Sequence, residues 1–241
     1  HGRRMPSTLG WPDHPFTRAD LPTLGRTERD LRIAARAGAI RPVLRGVFVG
    51  DDVADSIELR ALAVARVVKP HHVVTDRTAA WLHGIDAFVW GEHDLVPPIE
   101  TCALRGRQPS DRAGVDGRTR DLRPRDITSV AGVTVTTPLR TALDLGCNLR
   151  RREAYAVLNG MAARHDLTRE DYLLELPRFR RRRGVRQLRP LVLVVEPRVE
   201  SVRESWVLLE VHDATLPPPD AQFWIEIDGV PTFRLDFAYP R

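Results

Sequence analysis

The segment from Thr27 to Gly38 constrains the fold of this chain most, because its residue spacing fits a short helix with two chemically opposed faces. Thr27 is placed to cap the start, Asp30 falls in the first turn, and Gly38 is placed to end the helix in a left-handed conformation. Leu31, Ala34 and Ala35 recur at core spacing. At 100° per residue, Arg29, Arg32 and Arg36 fall within about 60° of one another on the other side. Ahead of this segment Phe16, Thr17, Asp20 and Leu21 read as an earlier helix start, with Thr17 as N-cap and Phe16 stapled onto Leu21. Behind it, Ile40 to Val49 alternates weakly around Arg45-Gly46, which predicts two short strands joined by a turn. A short helix, a tight turn, an arginine-faced helix and a hairpin make a winged helix-turn-helix over residues 1–50. That reading turns Arg29, Arg32 and Arg36 toward the major groove of double-stranded DNA and sets Arg41 and Arg45 on flanking phosphates. The competing reading is a solvated helix face, and the agreement of charge, spacing and hairpin favours DNA.

Composition is compatible with this but does not decide it. The 241 residues carry 37 Lys and Arg against 32 Asp and Glu, and Lys69 is the only lysine. Arginine stays charged and forks onto phosphate, yet a GC-rich genome enriches arginine without any function behind it, so position has to decide. Hydrophobic residues at 42% and charged residues at 29% are those of a soluble globular protein long enough for two or three domains. No apolar run approaches the roughly 20 residues that span a bilayer. No secretion signal opens the chain, so the expectation is a cytoplasmic protein with no membrane partner. Cys102 and Cys147 stand far apart without metal-ligand spacing and read as reduced.

Residues 51–195 read as a mixed α/β domain. Asp55 and Glu58 resemble a capping box ahead of a Leu59, Leu62, Ala63, Val67 stripe. A short strand at Val73-Val74 precedes a capped helix from Thr75 to Gly84, and further strands are expected at Thr101–Leu104 and Val133–Thr136. Thr137-Pro138 is a strong helix start, and helices follow at about 153–164 and 168–176. His71, His72, His83 and His93 lack metal-ligand spacing and read as hydrogen-bonding residues. The tract at 178–189 holds Arg178, Arg180, Arg181, Arg182, Arg183, Arg186 and Arg189 with no acid among them. Such a run is usually solvated, but Arg180, Arg181, Arg182, Arg183 and Arg186 are candidates for added phosphate contacts.

Residues 196–241 form the last segment. A helix over Glu200–Asp213 puts Val202, Trp206 and Leu209 on one stripe, and Glu204, Leu208 and Val211 on another, which leaves Glu204 partly buried. Phe223, Ile225 and Ile227 alternate up to Asp228-Gly229, and Phe233, Leu235 and Phe237 alternate on the return, a strong hairpin signal. The fold class is therefore mixed α/β.

Three motif sets together resemble actinobacterial proteins that join an abortive-infection type IV antitoxin-like half to a very-short-patch-repair-like nuclease domain. They are Phe16-Thr17-Arg18 with the arginine-rich helix and Arg45-Gly46-Val47-Phe48-Val49; Thr78 to Gly84 with Gly132 to Asp144; and Glu200 to Ser205 with Arg234 to Pro240. One departure is the proline-rich stretch Pro6 to Pro15, which stands where the family has a full helix. The middle motifs read as capping and packing. The last set is similar to the first half of a PD-(D/E)xK nuclease core, which implies Glu204 and Asp236 as catalytic and magnesium-binding carboxylates. The following strand of such a core, with its acid and lysine, has no counterpart before Arg241, and the open sheet edge suggests a longer polypeptide or a remnant. The expected function is a DNA-binding regulator and antitoxin that represses its own operon and counters a toxin, with no cofactor needed to bind DNA. One alternative is a magnesium-dependent endonuclease, if a longer form completes the core. The other is a non-enzymatic interaction scaffold.

Overall fold

The computed structural model describes residues 10–87 and 98–240, so His93 lies outside the described residues and the proline-rich lead-in is described only from Gly10. In chain order its elements are β1 (Phe16–Thr17), α1 (Glu28–Arg36), β2 (Ile40–Leu44), β3 (Val47–Gly50), α2 (Ile57–Ala65), β4 (His72–Val74), α3 (Asp76–Leu82), β5 (Ile99–Leu104), β6 (Val115–Arg120), β7 (Ile127–Val130), β8 (Val133–Thr136), α4 (Pro138–Asn148), α5 (Arg151–His165), α6 (Arg169–Glu175), α7 (Val185–Leu193), α8 (Val202–Asp213), β9 (Asp220–Ile227) and β10 (Val230–Ala238). Short 3-10 helices lie at Arg18–Asp20, Pro124–Asp126 and Leu176–Phe179. The chain is mixed α/β, as its patterning predicts. Its residues divide into two compact units.

The first unit takes residues 10–74, 98–121 and 129–135. Its N-terminal part is a three-stranded sheet in the order β1-β3-β2 with α1 packed beside it, and Phe16, Leu21, Leu31, Ala34 and Ile40 form the shared core. Trp11 stacks on Phe16 at 5.4 Å. The helix expected at Thr17–Leu21 is reduced to one 3-10 turn. Pairing of Phe16 and Thr17 with β3 holds their backbone extended up to Arg18. Pro22 then removes an N–H that a longer helix would use. Phe16 and Leu21 still meet in the core. Helix α2 is capped by Ser56, whose hydroxyl accepts from the Leu59 N–H at 3.1 Å. Asp55, the expected cap, instead pairs with Arg60. Leu62, expected inside, is 52% exposed, and Ala61 and Val64 are buried in its place. The five-stranded sheet runs β6-β5-β4-β8-β7. Fully buried β4 lies at its centre, antiparallel to β5 and parallel to β8.

The second unit takes residues 75–87, 122–128 and 136–240. Six helices, α3 to α8, surround a core that includes Leu143, Tyr155, Leu158, Met161, Tyr172 and Leu188. Helix α4 packs against α3, α5, α6 and α7, and every residue from Arg140 to Cys147 is buried. A helix enclosed on all sides has to be apolar or pair whatever charge it carries. Strands β9 and β10 form a separate two-stranded sheet. Their turn, Asp228-Gly229, has positive φ at both positions (52° and 75°), the two-residue geometry that follows the right-handed strand twist.

Candidate nucleic-acid interface

Helix α1 is closed at both ends by local hydrogen bonds. The Thr27 hydroxyl and N–H donate to the Asp30 carboxylate at 2.7 and 2.8 Å, and these bonds hold the Asp30 carboxyl below its usual range. The Asp30 N–H returns a bond to the Thr27 hydroxyl at 3.2 Å. At the other end the N–H of Ala39 reaches the Ala34 carbonyl, and that of Gly38 the Ala35 carbonyl, at 2.9 and 3.3 Å. Leu31 and Ala34 point into the core. Ala35, assigned to the core from its spacing, is exposed. Arg29, Arg32 and Arg36 are all exposed, with Ile33 beside them at 55% exposure. None of these three arginines has an ion-pair partner among the described residues, and Arg32 uses one donor, Nε, on the Glu28 carbonyl at 3.3 Å.

The β2–β3 turn carries Arg45, which is exposed at its tip. The stem of Arg45 lies so close to Gly114 that a Cβ there would come within 2.9 Å of Arg45 Cδ. Arg41 is half-buried, and its Nη2 donates to the Val53 carbonyl at 2.8 Å. Of the five arginines assigned to DNA from the sequence, four are thus exposed and Arg41 is partly committed to the fold. One contact escaped the sequence reading. Arg66 on the turn after α2 grips Asp20, and that pairing, with the Thr17 backbone bond, draws the Asp20 carboxyl down to about 2.

In the second unit the sequence motif Thr137 to Asp144 turns out to be the frame of a buried charge network. The Thr137 hydroxyl caps α4 by accepting from the Arg140 N–H at 3.3 Å. One turn inside, Arg140 is only 4% exposed and Asp144 fully enclosed. Arg140 Nε donates to Asp144 at 2.9 Å and its Nη1 to Asp126 at 2.8 Å. Its buried Nη2 has no hydrogen-bond partner among the described residues, and the guanidinium rests over the Phe179 ring at 5.5 Å. Two residues of the arginine tract complete the network. Arg178 forks onto both Asp126 oxygens at 2.9 and 2.7 Å and also pairs with Glu175. Arg182 pairs with Asp144 and lies 4.9 Å from the Phe179 centroid. Burial works to raise the Asp126 carboxyl, but its arginine and backbone bonds leave it below the usual range. Arg182, counted from the sequence among the phosphate contacts, is thus turned inward. Arg180, Arg181, Arg183, Arg186 and Arg189 remain exposed.

At the C-terminal end Ser201 caps α8 by accepting from the Glu204 N–H at 3.1 Å. The half-buried Glu204 carboxylate accepts from the Glu200 N–H and from Gln222 Nε2, each at 3.1 Å. Asp236 is exposed on β10 between Leu235 and Phe237, which pair with Phe223 and Ala221 on either side of Gln222. Among the described residues no group of three or more His, Cys, Asp or Glu is placed to hold a metal ion. His83 Nε2 bonds the Thr136 carbonyl at 2.7 Å, and His165 Nε2 bonds the His83 carbonyl at 3.1 Å. Cys102 and Cys147 are buried and not joined in a disulfide. No described helix is long and apolar enough to cross a membrane.

Comparison with known proteins adds two findings. Residues 72–193, from β4 through α7, match the family described as the AbiEi antitoxin C-terminal domain. Two uncharacterized proteins of Mycobacterium tuberculosis, Rv2248 of strain H37Rv and MT2308 of strain CDC 1551, are each 28% identical to this chain over 215 residues, covering 89% of it and 75% of the relative.

Proposed function

This chain belongs to the AbiEi antitoxin C-terminal domain family, and from that premise we propose that it is the antitoxin and DNA-binding regulator of a toxin–antitoxin pair. In this reading α1 presents Arg29, Arg32 and Arg36 to the major groove of double-stranded DNA, and Arg45 at the β2–β3 turn reaches a flanking phosphate. The reading rests above all on the face of α1. Three exposed guanidiniums stand on one side of a nine-residue helix whose Leu31 and Ala34 are locked into a core on the other. Glu28 stands one turn before Arg32 on the same side at the helix start, and from Leu31 to Arg36 the helix carries Arg32 and Arg36 and no carboxylate, a distribution that favours a polyanion over a mixed solubilising face. The family membership implies a cognate toxin as the second partner.

The test is binding of the purified chain to duplex DNA from upstream of its own gene, followed by fluorescence anisotropy without magnesium across a salt series. Log affinity should fall with log salt with a slope of about 0.9 for each phosphate neutralised. Replacing Arg32 and Arg36 by glutamate should abolish binding and leave the circular dichroism unchanged, because neither side chain packs into the core. A flat salt response leaves an interaction scaffold as the better description, and a double variant that binds DNA like the parent removes α1 as the interface.

A further inference from the structure

We infer that Ile33 on α1 selects a thymine, its side chain meeting the 5-methyl group of that base in the major groove beside the bases or phosphates contacted by Arg29 and Arg36. The inference rests on the DNA-binding reading of α1 and adds to it the kind of base pair that the helix prefers.

Ile33 is 55% exposed, while every other Val, Leu, Ile, Phe and Trp between residues 10 and 50 is buried or half-buried. One apolar side chain on a surface is ordinary by itself. Its place on the helix carries the argument. At 100° per residue Ile33 falls about 160° from Leu31, about 40° from Arg29 and about 60° from Arg36. Leu31 lies in the core formed with Phe16, Leu21, Ala34 and Ile40, and Ile33 is neither in that core nor packed against it. It therefore extends the outward arginine face, where a residue that only met water would gain nothing from being apolar.

A major groove gives such a residue a partner. Each base pair shows a distinct edge there, and the one apolar feature among those edges is the thymine methyl. Guanidiniums fork onto guanine O6 and N7 or onto phosphate, and they have no means of recognising a methyl group. An isoleucine does, because pressing it against the methyl takes both apolar surfaces out of water. Its β-branched side chain also has one strongly preferred χ1 on a helix, so the contact is arranged before the DNA arrives. Residues three and four apart on a helix stand about 5–6 Å from each other. With base pairs about 3.4 Å apart, the selected thymine lies about one or two base pairs from a position met by Arg29 or Arg36.

The experiment uses the full 241-residue chain and the duplex from upstream of its own gene. Each thymine in turn is replaced by deoxyuridine, which removes only the methyl group, and binding is measured for the parent and for Ile33→Ala. The expected result is at least one position where the replacement weakens the parent about fourfold and leaves Ile33→Ala unaffected, the non-additivity of two groups in contact. On the unmodified duplex Ile33→Ala should bind more weakly than the parent, with its salt slope unchanged because no phosphate contact is lost. Its circular dichroism should match the parent, since the side chain is outside the core and alanine favours a helix. Parent binding that is indifferent to every replacement overturns the proposal. So does a replacement that weakens parent and Ile33→Ala equally, which assigns the methyl to another residue, or an Ile33→Ala variant that weakens operator and unrelated duplex alike. The two readings fail separately. Loss of binding in the Arg32→Glu/Arg36→Glu variant with no sensitivity to deoxyuridine keeps α1 as the interface and rejects Ile33 as a reader of thymine, whereas a double variant that binds like the parent rejects α1 itself.

Discussion

Asp144 is enclosed by protein and neutralised by two guanidiniums, Arg140 one turn earlier on its own helix and Arg182 from the tract. Taking a carboxylate out of water is tolerable only with such partners, and removing one charge strands the others. Asp144→Asn should therefore destabilise the protein by about 3–5 kcal/mol, read from urea unfolding, while the exposed Asp236→Asn should change stability by less than about 0.5 kcal/mol. A loss at Asp144 no larger than that at Asp236 would mean that the network does not hold α4. This residue was legible in part. The i, i+4 spacing of Arg140 and Asp144 stands in the sequence, inside a motif that reads as capping and packing. What the spacing does not reveal is that both are inside, because an exposed helix can carry the same pair.

Among the elements, those with local causes were the easiest to read. Thr27, Thr137 and Thr168 cap the helices expected of them, because a cap needs only its own helix to accept from. The segment at Thr17–Leu21 defeated the same reasoning, since its strand partner lies about thirty residues on, at Val47 and Phe48. A second consequence belongs to the ends of α3 and α5, where His83 and His165 lie edge to face at 5.3 Å. Burial lowers the pKa of both, more than their carbonyl bonds restore. Each therefore stays neutral in the folded state at a pH where the unfolded chain, titrating near 6.5, takes up a proton. The unfolded state then binds more protons, so stability falls as pH drops below about 6.5, and His71 and His212, also lowered, act in the same direction. The melting temperature should decline between pH 7.5 and 5.5, above the range where the carboxylates titrate. His165→Asn should flatten that decline. An exposed-site control, His14→Asn, should leave it unchanged, and equal slopes in the two variants would rule out the buried pair as its source.

On the scale of the whole molecule, the C-terminal hairpin matches its sequence pattern, but the site it resembles is a separate matter. Of its two candidate carboxylates, Glu204 already accepts two protein donors and Asp236 stands exposed, whereas magnesium is held best by several oxygens at strict octahedral distances. The 241-residue chain is expected to leave supercoiled and mismatched DNA intact in magnesium or manganese. Nicking that disappears in the Asp236→Asn variant would make it an enzyme.

By itself the sequence determined the mixed α/β class, most helix starts, the two-faced helix α1 and the Asp228-Gly229 turn. All of these are set by interactions within a few residues and by the periods of helix and strand. Only the tertiary structure decided which arginines are structural and which are available. The partners that turn Arg178 and Arg182 inward lie 52 and 38 residues away. No local pattern can tell an arginine that will meet a buried aspartate from its neighbour that will meet water. That choice is made by the cost of leaving Asp126 and Asp144 uncompensated in the core.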